Sequence, residues 1–165
     1  MDETSPVQNI NPKIWQIIFI AIIAIVFTSV WLETYLYLNA VIWMNDYVQA
    51  NPWTIIVGVL VFSLLVGLCE KYLHAPNVIH GRFTDSMKGE GQEGNYKTFP
   101  GTLLSSFFSL FSGASVGPEG PLAFLIMEIS AWIREKLTIS KDTALGFDVA
   151  ALSSAYNGII GSPLF

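Results

Sequence analysis

The residues best placed to do chemistry lie in Ser112-Gly113-Ala114-Ser115-Val116-Gly117-Pro118-Glu119-Gly120-Pro121, where one carboxylate stands among glycines and prolines between two uncharged apolar runs. Proline removes a backbone donor and disfavours helical geometry in the residue before it, so a helix cannot run through this stretch. Pro121 suits the first position of a new helix, with Leu122-Ala123-Phe124-Leu125-Ile126-Met127 as its body. The N–H groups of Gly120, Leu122 and Ala123 are then expected at a helix N-terminus, where unpaired donors and the helix dipole favour an anion. Glu119 lies beside that site, at what should be membrane depth. A carboxylate helping a helix dipole contributes only about 0.3–1 kcal/mol, less than it costs to hold one inside a membrane, so a functional role is the stronger reading.

The other reactive residue types are less well placed. Glu128 and Asp148 fall inside apolar runs but adjoin no helix break; Glu128 is expected on a protein-facing side near the inner interface, and Asp148 close enough to a helix start to be wet. Cys69, the single cysteine, ends an apolar run and reads as a small core or lipid-facing residue. His74 and His80 sit in a polar loop without a third ligand and read as solvated, so no metal site is expected. Gly89-Glu90-Gly91-Gln92-Glu93-Gly94 matches G-x-G-x-x-G in letters only, because no strand precedes it and its two acids repel a pyrophosphate.

Placing Glu119 at depth requires membrane helices, and the composition supplies them. The chain is 52% hydrophobic and only 13% charged, which marks an all-α integral membrane protein. Its net charge of −5 offers no basic cluster for nucleic acid. A polar tail over 1–13 precedes Ile14 to Leu32, uncharged and close to the ~20 residues a crossing helix needs. Beyond Glu33 the sequence is apolar again to Met44, which leaves open one long tilted helix or a helix plus a re-entrant turn. With a turn at 45–52 and a second span from Trp53 to Cys69, residues 14–69 read as a transmembrane hairpin. The loop 70–97 carries most of the basic residues before the third apolar run, which places it and the N-terminus in the cytoplasm and the 45–52 turn outside. Further helices are expected from about Leu103 to Ser112, from Pro121 to Ile133 and from Thr143 to Tyr156, with Asn157-Gly158 breaking the last. Trp15, Trp31, Trp43, Trp53 and Trp132 fall near span ends and read as interfacial anchors.

Gly117-Pro118-Glu119-Gly120-Pro121 resembles the G-[K/R]-E-G-P signature of the CLC family of voltage-gated chloride channels and proton-coupled chloride antiporters. It follows a small-residue segment ending Ser-Gly-Ala-Ser-Val, and Ala151 to Asn157 is similar to that family's Ala-rich helix, with Tyr156-Asn157 at its Phe-Asn pair. The similarity covers residues 98–165. It implies the first half of an inverted-repeat transporter with broken, re-entrant helices, a homodimer in the cell membrane, and no cofactor. Glu119 is then the gating glutamate, displaced by chloride or by a proton, and Gly117, Gly120, Pro121, Leu122 and Ala123 are the anion-binding residues. Pro118 departs from the family's basic residue. The serine-bearing element that contacts the central anion has only His80 to Ser86 to represent it, leaving Ser86 or Thr84 as candidates. The family's second half and its proton-relay region are absent, so the chain looks truncated at Leu164-Phe165.

Two function classes follow. One is small-anion transport, as a channel or a proton-coupled antiporter, with Glu119 as the gate. The other is a non-transporting membrane protein that keeps half a transporter as a regulatory or interaction scaffold. An enzyme is not expected, since no Ser/His or paired-Asp arrangement lies within the spans.

Overall fold

A computed structural model describes residues 13–76, 96–113 and 117–160, and every regular element among them is helical. Helix α1 (Ile14–Trp43) runs unbroken for 30 residues because no glycine or proline interrupts it. At 1.5 Å per residue it is about 45 Å long, more than the ~30 Å of hydrocarbon. The choice left open at Glu33 therefore resolves to one long helix. Its buried residues Ile20, Ala24, Thr28 and Trp31 form one stripe at helical spacing, while Ile18, Ile22, Val26 and Val30 are exposed. Ser29 and Thr34 donate to the carbonyls of Ile25 and Val30 at 2.9 and 2.7 Å, which satisfies their hydroxyls without water.

Asn45 serves two helices. Its amide donates to the carbonyls of Val41 and Ile42 at the end of α1, and its oxygen accepts from Val48 N–H to cap α2 (Asp46–Ala50). Helix α3 (Trp53–Leu73) follows, buries only Cys69, and ends at His74 in the left-handed conformation. Helices α1 and α3 are each long and apolar enough to cross a membrane. They meet at Trp43, which covers Gly58 and lies 6.1 Å from the Phe62 ring, and then each takes a different partner.

A 3-10 turn (Tyr96–Thr98) leads into α4 (Phe99–Phe111), which packs on α3. This helix starts earlier than the expected Leu103 because Pro100 stands in the first turn, where its missing N–H has no helical partner to lose. Gly101 permits the crossing: a Cβ there would lie 2.7 Å from the Leu73 carbonyl oxygen. Helix α5 (Glu119–Leu137) lies between α4 and α6 (Lys141–Ile160), and α6 packs along α1. Asn157-Gly158 does not break α6. Gly158 is exposed and a Cβ there would meet only Thr28, at 3.6 Å, so α6 carries the roughly 1 kcal/mol that glycine costs a helix.

The core is filled by Leu122, Leu125 and Ile126 of α5 with Phe147, Ala151 and Ala155 of α6 and the α1 stripe. Ala151 and Ala155 are one turn apart, so their small side chains let neighbouring backbones approach. Trp31 is not an interfacial anchor. It is 3% exposed, and its ring lies 5.6 Å from that of Phe107 in an aromatic chain that runs on through Phe111 to Phe62 of α3. Trp15, Trp53 and Trp132 do sit at the surface.

The tail to Pro12, the loop from 77 to 95 with His80, Thr84, Ser86 and the Gly89 to Gly94 stretch, residues 114–116, and 161–165 lie outside the described residues.

Candidate anion site at the break between α4 and α5

Helix α4 has 13 residues and rises about 20 Å, so it cannot cross ~30 Å of hydrocarbon. Its last turn closes with Ser112 N–H on the Phe108 carbonyl and Gly113 N–H on Leu110, and Gly113 then takes φ +74°, where a side chain would be strained. Past this break the chain re-enters helix at Glu119, two residues before the expected start. Pro121 is therefore the third helical residue, not the first.

That shift changes which donors are free. Leu122 N–H is spent on the Pro118 carbonyl at 3.1 Å, and by helical register Ala123 N–H pairs with Glu119. Leu122 and Ala123, expected as anion donors, instead bury their side chains in the core, and Pro121 is buried with them. The N–H groups left without an acceptor among the described residues are those of Glu119 and Gly120. Both belong to the first turn, where the helix dipole is positive.

Glu119 bends back over Gly117. A Cβ at Gly117 would fall 3.0 Å from the Glu119 Cδ and nearer still to Oε2, so the carboxylate fills the hollow a side chain would need. Gly117 and Glu119 are exposed and Gly120 is half-buried. Tyr156 of α6 lies within electrostatic reach of the Glu119 carboxylate. The structure thus brings Gly117, Glu119 and Gly120 together and adds Tyr156, which sequence reasoning did not assign to the site. Its one signal was a hydroxyl where the resemblance has a phenylalanine.

Glu128 and Asp148 belong elsewhere. Glu128 is nine residues on, about 14 Å along α5, and its Oε1 accepts from Thr98 at 2.7 Å and Thr102 at 2.8 Å. Asp148 is buried, not wet: it accepts from Ser130 Oγ and lies 3.2 Å from Arg134 Nε. The Nε approach is an ion pair without hydrogen-bond alignment. Each carboxylate ties α5 to a neighbouring helix. Among the described residues no cluster of His, Cys, Asp and Glu could hold a metal ion.

No family model matches the sequence, and neither a curated protein nor a solved structure matches the chain.

Proposed function

We propose that the chain carries the gated anion site of a CLC-like membrane transporter, a channel or proton-coupled antiporter for chloride or a similar small anion. The observation that supports this most is the Glu119 carboxylate folded over Gly117 at the start of α5, beside the free N–H groups of Glu119 and Gly120. An ionised carboxylate held there occupies the place an anion would take. Protonation, or displacement by the anion, would release it. Tyr156, on the facing helix, lies near enough to feel the Glu119 charge. In this reading the break between α4 and α5 is a re-entrant pair, whose half-helix N-terminus offsets part of the anion's desolvation.

One helix end contributes at most about 2 kcal/mol, whereas an unpaired ion in an apolar medium costs far more. The exposed side of Glu119 is accordingly where a second set of helices completes the pathway, as in an inverted repeat. Chloride titration calorimetry on the native assembly, isolated by a tag on this chain and held in nanodiscs, tests the site. Removing the competing charge with Glu119→Gln should tighten chloride binding by tenfold or more at neutral pH. Equal affinity in wild type and variant would show that the carboxylate does not contend for the site, and would favour the scaffold reading.

A further inference from the structure

At the other end of α4 and α5 from Glu119, the 3-10 turn and the two helices frame a half-open cavity of about 400 Å³ lined by Tyr96, Phe99, Pro100, Glu128, Ile129 and Trp132. That volume lies in the range of small-molecule sites. Its wall is apolar and aromatic, with one carboxyl group. Glu128 is 4% exposed, and Oε1 takes both of its hydrogen bonds, from Thr98 and Thr102. Its second oxygen, Oε2, is shut from solvent and has no partner among the described residues. A carboxylate oxygen left bare in apolar surroundings is a group missing a donor.

The chemistry of the wall selects among occupants. An anion would be repelled by Glu128, and a neutral hydrocarbon would leave Oε2 as bare as before. A hydrated metal ion needs several oxygen ligands, whereas this cavity offers a single carboxylate among ring faces. An ammonium group fits both features: it donates to a carboxylate and is attracted by the faces of Tyr96, Phe99 and Trp132. Tyr96 is hydrogen-bonded to Glu135, an exposed carboxylate beside the cavity, and that bond together with the charge pushes the phenol above its usual range. Trp132, 47% exposed, stands at the rim.

We propose that this cavity binds an organic ammonium carried on an apolar body, with Glu128 pairing the charge and the aromatic wall holding the rest. The site is separate from the anion site and stands whether or not the chain moves chloride. Two sources share this chemistry, a free hydrophobic amine and the headgroup of an aminophospholipid.

The test uses the chain in phosphatidylcholine nanodiscs, titrated calorimetrically with 3-phenylpropylammonium and with its neutral isostere 3-phenylpropanol. The ammonium should bind saturably and at least tenfold more tightly than the alcohol. Glu128→Gln should abolish that difference while its amide oxygen still accepts from Thr98 and Thr102, so the helix contact survives. Ile129→Trp, which fills the cavity and leaves Glu128 in place, should remove saturable binding altogether. Repeating the titration with half the lipid exchanged for phosphatidylethanolamine names the source. A several-fold weaker apparent affinity supports the site with the lipid headgroup as its ligand, and an unchanged affinity supports it with a free amine. Equal binding of the two probes, wild-type discrimination in Glu128→Gln, or saturable binding that survives Ile129→Trp would overturn the proposal.

Discussion

Glu119 and Glu128 sit on the same helix and differ in what holds them. Glu128 is fixed by two threonine hydroxyls in a buried wall, whereas Glu119 is exposed and rests in a hollow that exists only because residue 117 has no side chain. The first suits a fixed part of a structure, and the second suits a group that must leave its place. Gly117→Ala should therefore evict the carboxylate, since the new Cβ claims the space Oε2 occupies. Chloride affinity in Gly117→Ala should rise toward that of Glu119→Gln, and an affinity unchanged from wild type would mean the hollow has no part in gating. Glu119 was legible in the sequence because glycines and prolines around one carboxylate fix a helix break wherever the chain folds. Tyr156 was not, because its nearness to Glu119 arises from how α6 packs on α5, which no local pattern records.

Helix identities could be read from apolar runs, while their ends followed contacts the runs do not encode. Pro100 and Gly101 look like breakers, yet both lie inside α4, one in the tolerant first turn and the other beneath the Leu73 carbonyl. Asn157-Gly158 looks like a stop, yet α6 runs past it to Ile160, since a glycine costs a helix only about 1 kcal/mol. The same geometry makes two glycine variants diverge. Gly101→Ala puts a Cβ against backbone that cannot yield, so it should destabilise by about 1–3 kcal/mol, as overpacking does. Gly67→Ala in α3 meets nothing within 4 Å and should be neutral or stabilising by up to about 1 kcal/mol. Thermal unfolding of both in detergent checks this, and equal melting temperatures would contradict the α3–α4 crossing.

Across the whole molecule, charge gathers at one end. Contact of Gly101 with Leu73 and of Tyr96 with Glu135 brings together the end of α3, the start of α4 and the end of α5, and with them Lys71, Lys97, Arg134 and Lys136. The opposite end, at α2, carries Asp46. By the positive-inside rule, we propose that the basic end faces the cytoplasm. Single cysteines at Gln49 and Lys136, in a Cys69→Ser background, should label from outside and from the cytoplasm respectively; labelling of both from one side would contradict this orientation. The exposed faces of α1 and α3 match a lipid surround, and this much was legible from composition. The closure of the proposed anion pathway was not, because in that proposal it depends on surfaces that meet the far side of Glu119.

Anion movement itself decides the central claim. Chloride efflux should be followed from proteoliposomes holding the native assembly, isolated from its membranes by a tag on this chain, across a range of external pH. Wild type should show efflux above protein-free vesicles that changes with pH as Glu119 gains and loses its proton, and Glu119→Gln should show efflux nearly independent of pH. Efflux no greater than in empty vesicles, or a Glu119→Gln variant that keeps the wild-type pH dependence, would contradict the assignment of Glu119 as the gate.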